Sequence, residues 1–66
     1  MANIFIDAKG KKQNLDEIRK TYENVRVEAD TNIVTKEIEG YYLRGDASFY
    51  SDLEIPIDEQ TYNALK

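Results

Sequence analysis

Carboxylates and tyrosines are the side chains with which this chain could do chemistry. Its 66 residues include 13 Asp and Glu and five Tyr, but no His and no Cys. A Cys nucleophile, a His base and a Cys/His zinc site are therefore excluded. The few Ser and Thr have no base at a recognisable spacing, so we expect a protein without enzymatic activity. Carboxylates can still bind a basic partner or, weakly, a divalent cation.

The acidic side chains are concentrated in one part of the chain. Residues 37–59 carry seven Asp and Glu against Arg44 alone, a net charge of −6, whereas residues 1–36 carry seven Lys and Arg against six acidic residues. A field of that sign repels nucleic acid and attracts basic partners. We therefore expect this segment to bind a protein with a basic surface. The alternative is that the charge only keeps the domain soluble.

A β-hairpin is predicted to carry this surface. The pair Gly45-Asp46 lies between two strand-like runs and predicts a type II′ turn, with Gly45 at the position of positive φ. This turn places Tyr42 opposite Phe49, and alternation along the strands then separates two faces. The predicted apolar face consists of Ile38, Tyr42, Phe49, Leu53 and Ile55. The predicted protein-binding face consists of Glu37, Glu39, Tyr41, Tyr50, Asp52 and Glu54.

Opposed carboxylates are the main indication of function in this register. Glu39 lies opposite Asp52, and Glu37 lies opposite Glu54. Like charges directly opposite each other destabilise a strand pair by a few tenths to about 1 kcal/mol. The presence of these opposed carboxylates despite their cost in stability suggests that a partner binds them. Carboxylates at i and i+2 of a strand lie about 6.5–7 Å apart, close to the spacing of phosphates along a nucleic-acid strand.

The first half of the chain predicts a strand and a helix. The β-branched and aromatic run at residues 3–8 predicts a strand, and the basic, glycine-containing stretch at residues 9–12 predicts a loop. Asn14 is a good N-cap for a helix over residues 15–23, with Glu17 three residues on as in a capping box.

Two further strands and a short helix complete the predicted fold. Val25, Val27 and Ala29 alternate with charged residues, and a turn at residues 31–32 places Ala29 opposite Val34. Asp58 is a plausible N-cap for a C-terminal helix. The order β-α-β-β-β-α predicts one α+β domain over residues 1–66, with an antiparallel three-stranded meander. The first strand could pair with the second through a right-handed crossover or lie beside the last.

Two other functions remain open. Tyr41 and Tyr50 could stack on the bases of a single-stranded nucleic acid, although the surrounding charge has the wrong sign. An exposed strand edge or the sheet itself could form a homodimer and make the domain a structural component.

The function predicted from the sequence is binding to a basic protein surface. Its most concrete form is a small inhibitor, of the type encoded by phages and mobile elements, that masks a nucleic-acid-binding surface. No metal or cofactor is expected. No apolar run approaches the roughly 18 residues of a membrane span, and the N-terminus lacks a signal-like stretch, so we expect a cytoplasmic protein.

Overall fold

The computed structural model describes residues 3–66, and Met1 and Ala2 of the predicted domain lie outside the described residues. It confirms a small α+β fold with a three-stranded antiparallel meander, an N-terminal strand, a helix on the sheet and a C-terminal helix. The elements are β1 (Ile4–Ile6), β2 (Lys12–Asn14), α1 (Leu15–Thr21), β3 (Glu23–Thr31), β4 (Ile38–Asp46), β5 (Leu53–Ile57) and α2 (Glu59–Leu65).

The N-terminal strand belongs to a hairpin of its own. β1 pairs antiparallel with β2, from Ile4 opposite Asn14 to Ile6 opposite Lys12, in a sheet separate from β3-β4-β5. The loop predicted at residues 9–12, from a glycine within a basic cluster, overlaps the first residue of β2. The hairpin is joined to the main sheet where the Ala8 N–H donates to the Pro56 carbonyl at 2.8 Å.

A buried carboxylate holds the turn of this hairpin. Asp7 accepts hydrogen bonds from the backbone N–H groups of Lys9 and Lys11 and from the side chain of Gln13, at 2.9–3.0 Å. The Gln13 bond, followed by the Lys11 backbone bond, lowers the pKa of Asp7. Gly10 lies in this turn with φ of +84°, a conformation that glycine adopts without strain.

Both helices begin at the predicted caps. The Asn14 side chain accepts from the backbone N–H of Glu17 at 3.2 Å, and the Asp58 side chain accepts from that of Thr61 at 2.7 Å. α1 ends at Thr21, two residues earlier than predicted, because the backbone of Tyr22 is already extended and leads into β3. Each helix spans only seven residues, so its stability depends on packing against the sheet.

One face of the main sheet is buried against the two helices. Leu15 of α1 packs with Leu43, Ile55 and Ile57, and these four residues form the buried core. Around them lie partly buried side chains from both helices, all three strands and β1: Phe5, Ile18, Val25, Val27, Tyr41, Leu53, Tyr62 and Leu65.

The predicted two-residue turn at Gly45-Asp46 is wrong. β4 continues through Asp46, and a six-residue loop at 47–52 precedes β5. Tyr42 therefore lies opposite Pro56, seven residues beyond its predicted partner Phe49. The loop is held by Asp52, whose side chain accepts from the backbone N–H of Ala47 at 3.1 Å.

The predicted turn at residues 31–32 is wrong by the same amount. Ala29 lies opposite Tyr41 instead of Val34, again seven residues further, and the loop spans residues 32–37. Because seven is odd, each error inverts one strand relative to its neighbour. The two errors share β4, so β3 and β5 keep their predicted inward faces, whereas β4 turns Tyr41 and Leu43 inward and Tyr42 outward.

Gly45 serves close packing instead of a turn. It pairs with Leu53 inside the sheet, and a Cβ at this position would lie 3.1 Å from Cβ of Tyr22 and 3.2 Å from Cγ2 of Val25. Such distances are below ordinary van der Waals contact. The glycine thus lets the start of β3 approach β4.

Replacement of Leu43 tests the inverted face of β4. Leu43 is 2% exposed, whereas the predicted register turns it outward. We expect Leu43→Ala to lower the free energy of unfolding by about 2–4 kcal/mol, because it removes buried methyl groups and leaves a cavity. Urea denaturation followed by circular dichroism measures this. Ile33→Ala, at a residue 91% exposed, is the matched control and should change stability by less than about 0.5 kcal/mol. Equal effects would contradict the observed register.

Candidate functional site

The sheet face opposite the helices is covered by charged side chains. We call it the open face. β3, β4 and β5 each contribute alternate residues to it, since their other residues point into the core. Its members are Arg26, Glu28, Asp30, Tyr42, Arg44, Asp46, Glu54 and Pro56.

Arg44 is the centre of the open face. Its guanidinium forms a two-pronged contact with Asp30 at 2.8 and 3.0 Å, and it also contacts Glu28 at 3.2 Å and Glu54 at 3.2 Å. It lies 4.7 Å from the ring centroid of Tyr42, a cation–π arrangement. The Arg44 side chain is only 23% exposed. One cation from the middle strand thereby joins all three strands.

A second arginine extends this network toward the β4–β5 loop. Arg26 contacts Asp46 at 3.2 Å and Glu28 at 3.7 Å, and it donates to the backbone carbonyl of Asn24 at 3.1 Å. Arg26 lies directly opposite Arg44 in the sheet, which alone would destabilise the strand pair. The Glu28 carboxylate contacts both guanidinium groups and offsets their repulsion.

The open face remains acidic after this pairing. Two arginines stand against Glu28, Asp30, Asp46 and Glu54, four carboxylates, so its formal charge is −2. The hydrogen bonds from Arg44 lower the pKa of Asp30 and keep it ionised. Within residues 3–66 there is no cluster of three or more acidic, His or Cys side chains arranged to hold a metal ion.

The six residues predicted to bind a partner do not form one face. Glu54 lies on the open face, where Arg44 contacts it. Tyr41 points to the helix side, where its ring centroid lies 4.7 Å from that of Tyr62. Burial, and after it the charge of Glu59, raises the pKa of Tyr41. The carboxylate pairs proposed from the sequence are also absent, because Glu54 lies opposite Arg44 and Asp52 lies in the loop before β5.

The other four predicted residues lie in or near the two loops of the meander. Tyr50 is in the β4–β5 loop, where its ring meets that of Tyr22 edge-on with centroids 6.2 Å apart. Asp52 closes the same loop. Glu37 and Glu39 are exposed and lie at the opposite end of the sheet, Glu37 as the last residue of the β3–β4 loop and Glu39 near the start of β4.

The β3–β4 loop and the first residue of β4 form an exposed apolar projection. We call residues 32–38 the hairpin tip. Ile33 is 91% exposed and Val34 is 90% exposed, and Ile38 is half exposed. The last pair of β5 joins Ile57 to Tyr41, so β5 does not accompany β4 as far as the tip. The tip therefore extends beyond the three-stranded part of the sheet.

Local hydrogen bonds order the hairpin tip. The Asn32 side chain accepts from the backbone N–H groups of Val34 at 2.8 Å and Thr35 at 3.0 Å. Backbone bonds from Lys36 to Asn32 and from Asn32 to Glu37 close the loop at 2.7 and 2.8 Å. Lys36 takes a positive φ of 62° to complete the turn. These contacts hold two β-branched side chains out in solvent.

Sequence reasoning missed both the arginine network and the tip. The alternation of Arg26, Glu28 and Asp30, together with Arg44 as the lone base among seven acids, is the signal for the network. For the tip the signal is Asn32, whose side chain favours turns by bonding to the following backbone.

Comparison with known proteins does not add a relative. No protein-family model, no curated protein and no solved structure matches the chain. Among residues 3–66, no helix is long and apolar enough to cross a membrane. The site is therefore interpreted from its geometry.

Removal of Arg44 tests the network through the dependence of stability on pH. The pKa of Asp30 is lowered in the folded protein by Arg44. This contribution to stability is thus complete above the ordinary carboxyl pKa of about 3.9 and is lost as pH falls through the lowered value. We expect Arg44→Met to lower the urea midpoint at pH 7 and to lose less stability than the wild type as pH falls from about 5 to about 2.

The difference in unfolding free energy between the two proteins at each pH isolates the effect of Arg44. The pKa values of Asp7 and Asp58 are also lowered, and they contribute to the pH dependence of both proteins. Arg19→Met, on the exposed side of α1, is the control for loss of one positive charge. A pH dependence of Arg44→Met that parallels the wild type would show that Arg44 does not stabilise these carboxylates.

Proposed function

We propose that this protein is a non-catalytic binding module that docks through its hairpin tip onto a basic protein surface containing an apolar pocket. The observation that carries the proposal is the exposure of Ile33 and Val34, 91% and 90%, on a turn ordered by Asn32. An ordered apolar projection supports binding because transfer of its side chains from water into a partner's pocket is favourable in free energy.

The energetics favour the tip as an anchor. Full burial of an aliphatic side chain of this size contributes about 1.5–3 kcal/mol. Ordering a flexible loop would consume part of this gain, but the bonds from Asn32 already hold the turn in the free protein. Ile33 and Val34 are adjacent, so a single pocket could receive both.

The charge beside the tip defines the partner. Glu37 lies within the tip, Glu39 follows it on β4 and Asp30 precedes it on β3. Lys36 is the one base, so residues 30–39 carry a net charge of −2. Rim charges of this kind steer association and select partners more than they add affinity. A pocket rimmed by Lys and Arg would match this pattern.

The most concrete form of the proposal is an inhibitor, of the phage or mobile-element type, that covers a nucleic-acid-binding surface in the cytoplasm. Two features support it. Glu28 and Asp30 stand at i and i+2 of β3, about 6.5–7 Å apart along the strand, and Arg44 contacts both and fixes their positions. The open face as a whole keeps a formal charge of −2 after this pairing.

Binding to single-stranded nucleic acid has less support. It requires Tyr41 and Tyr50 on one exposed sheet face, whereas Tyr41 packs against Tyr62 and Tyr50 packs against Tyr22. The negative charge around the sheet also opposes binding of a phosphate backbone.

Photo-crosslinking from the tip is the direct test. A photoreactive amino acid replaces Val34 in one protein and Glu17, on the exposed side of α1, in the control. We expect crosslinks from position 34 to one partner and none to it from position 17. A partner whose crosslinking is suppressed by duplex DNA supports the inhibitor form. Crosslinks that are equal at the two positions, or missing at position 34, would overturn the proposal.

Binding to that partner should depend on the apolar side chains. We expect Ile33→Ser with Val34→Ser to weaken binding more than about tenfold, which corresponds to about 1.4 kcal/mol. Phe49→Ser is the matched control, since Phe49 is 94% exposed but lies in the β4–β5 loop. Isothermal titration calorimetry measures the affinities, and the thermal midpoints of all variants should agree closely because these side chains lie outside the core. Equal weakening by the control would contradict a specific tip.

A further inference from the structure

β3 is an edge strand with a regular central part. It pairs with β4 on one side, and within residues 3–66 no strand pairs with its other side. Register shifts occur between Glu23 and Arg26 and between Asp30 and Thr31. Between them the strand is uninterrupted, and its five residues span about 17 Å. Unpaired backbone groups along such an edge can accept another strand.

The opposite edge of the sheet is less suited to strand addition. β5 contains Pro56, which has no N–H group to donate. The carbonyl of Pro56 is already occupied by the N–H of Ala8 at 2.8 Å. Of the two edges, β3 therefore offers the longer template.

The side chains of β3 alternate in a way that permits self-pairing. Val25, Val27 and Ala29 lie on the helix side, and Arg26, Glu28 and Asp30 lie on the open face. A second copy related by a two-fold axis would pair antiparallel, and each contact would occur twice. The helix-side face and the open face continue from one copy to the other only if apolar residues of one β3 lie opposite apolar residues of the second β3.

One register satisfies the charges. With the axis at Val27, Arg26 lies opposite Glu28 of the second copy, Glu28 lies opposite its Arg26, and Val27 faces its own counterpart. An axis at Arg26 would oppose two arginines, and an axis at Glu28 would oppose two glutamates. Directly opposed like charges destabilise strand pairs. Charge complementarity thus selects the register centred on Val27.

We propose that two copies of this chain associate through β3 about a two-fold axis at Val27, forming a continuous sheet ordered β5-β4-β3-β3-β4-β5. This goes beyond the proposed binding at the tip and does not depend on it. The two hairpin tips point to opposite ends of the dimer and stay accessible. We expect a weak dimer, because one short strand pair buries less than the roughly 1,200 Å² of standard stable interfaces.

A charge-swap experiment tests both the dimer and its register. In a dimer of Arg26→Glu alone, the introduced carboxylate lies opposite Glu28. In a dimer of Glu28→Arg alone, the introduced guanidinium lies opposite Arg26. Mixed together, the two variants form only opposite-charge pairs. We expect sedimentation velocity from about 10 µM to about 1 mM to show dimerisation of the wild type, monomers of each single variant, and restored dimerisation of the equimolar mixture.

Several results would overturn the proposal. A wild type that remains monomeric to about 1 mM excludes the dimer. Single variants that dimerise like the wild type, or a folded mixture that stays monomeric, exclude this register. Glu17→Arg on α1 is the control for a charge reversal away from the edge and should dimerise like the wild type.

Hydrogen exchange of the wild type keeps the proposal testable if a variant fails to fold. We expect amides at residues 26–28 that point away from β4 to exchange more slowly at high protein concentration, because the second strand covers them. Amides of α1 should not change with concentration. Exchange at residues 26–28 that is independent of concentration would overturn the proposal.

Discussion

The contact between Arg44 and Asp30 is the interaction on which the arrangement of the sheet depends. It ties the middle strand to one edge strand in a two-pronged geometry, and the same guanidinium reaches Glu54 on the other edge. Exposed ion pairs contribute little individually, but a cation shared by several carboxylates restricts fewer side chains per contact. These carboxylates lie on the open face, so the pairing favours an orientation of β4 in which Arg44 points to that face. Leu43, the neighbouring residue, then points into the core.

This constraint explains which parts of the fold could be predicted from the sequence. Local signals succeeded: the caps at Asn14 and Asp58 and the inward alternation of Val25 and Val27 depend on neighbours in the chain. The prediction of which β4 side chains point into the core was wrong, because both Tyr42 and Leu43 are apolar enough to be buried. Choosing between them requires knowing that Arg44 needs partners on β3 and β5, which are distant in sequence.

The acidic charge around the candidate site was predictable from the sequence, but the position of the site and its apolar side chains were not. The excess of carboxylates is evident from composition, and of the predicted residues Glu37 lies in the hairpin tip and Glu39 directly follows it. The predicted turn at residues 31–32 placed Val34 inside a strand, opposite Ala29, and β-branched residues such as Ile33 and Val34 do favour strands. Hydrogen bonds from the Asn32 side chain to the backbone override that preference. The carboxamide of Asn32 thereby determines that the side chains of Ile33 and Val34 extend into solvent from a loop and do not lie in a strand.

Gly45 has a consequence for the alignment of the strands. The space beside Tyr22 and Val25 admits no Cβ without displacement. If β4 slid along β3 by two residues, inward and outward faces would be conserved, but Leu43 would be brought to this point. Burial of apolar surface cannot by itself distinguish such slips, since they keep the same alternation. Only the alignment that places a glycine at this point avoids a steric clash. The absence of a side chain at Gly45 therefore excludes shifted alignments that the hydrophobic pattern alone would permit.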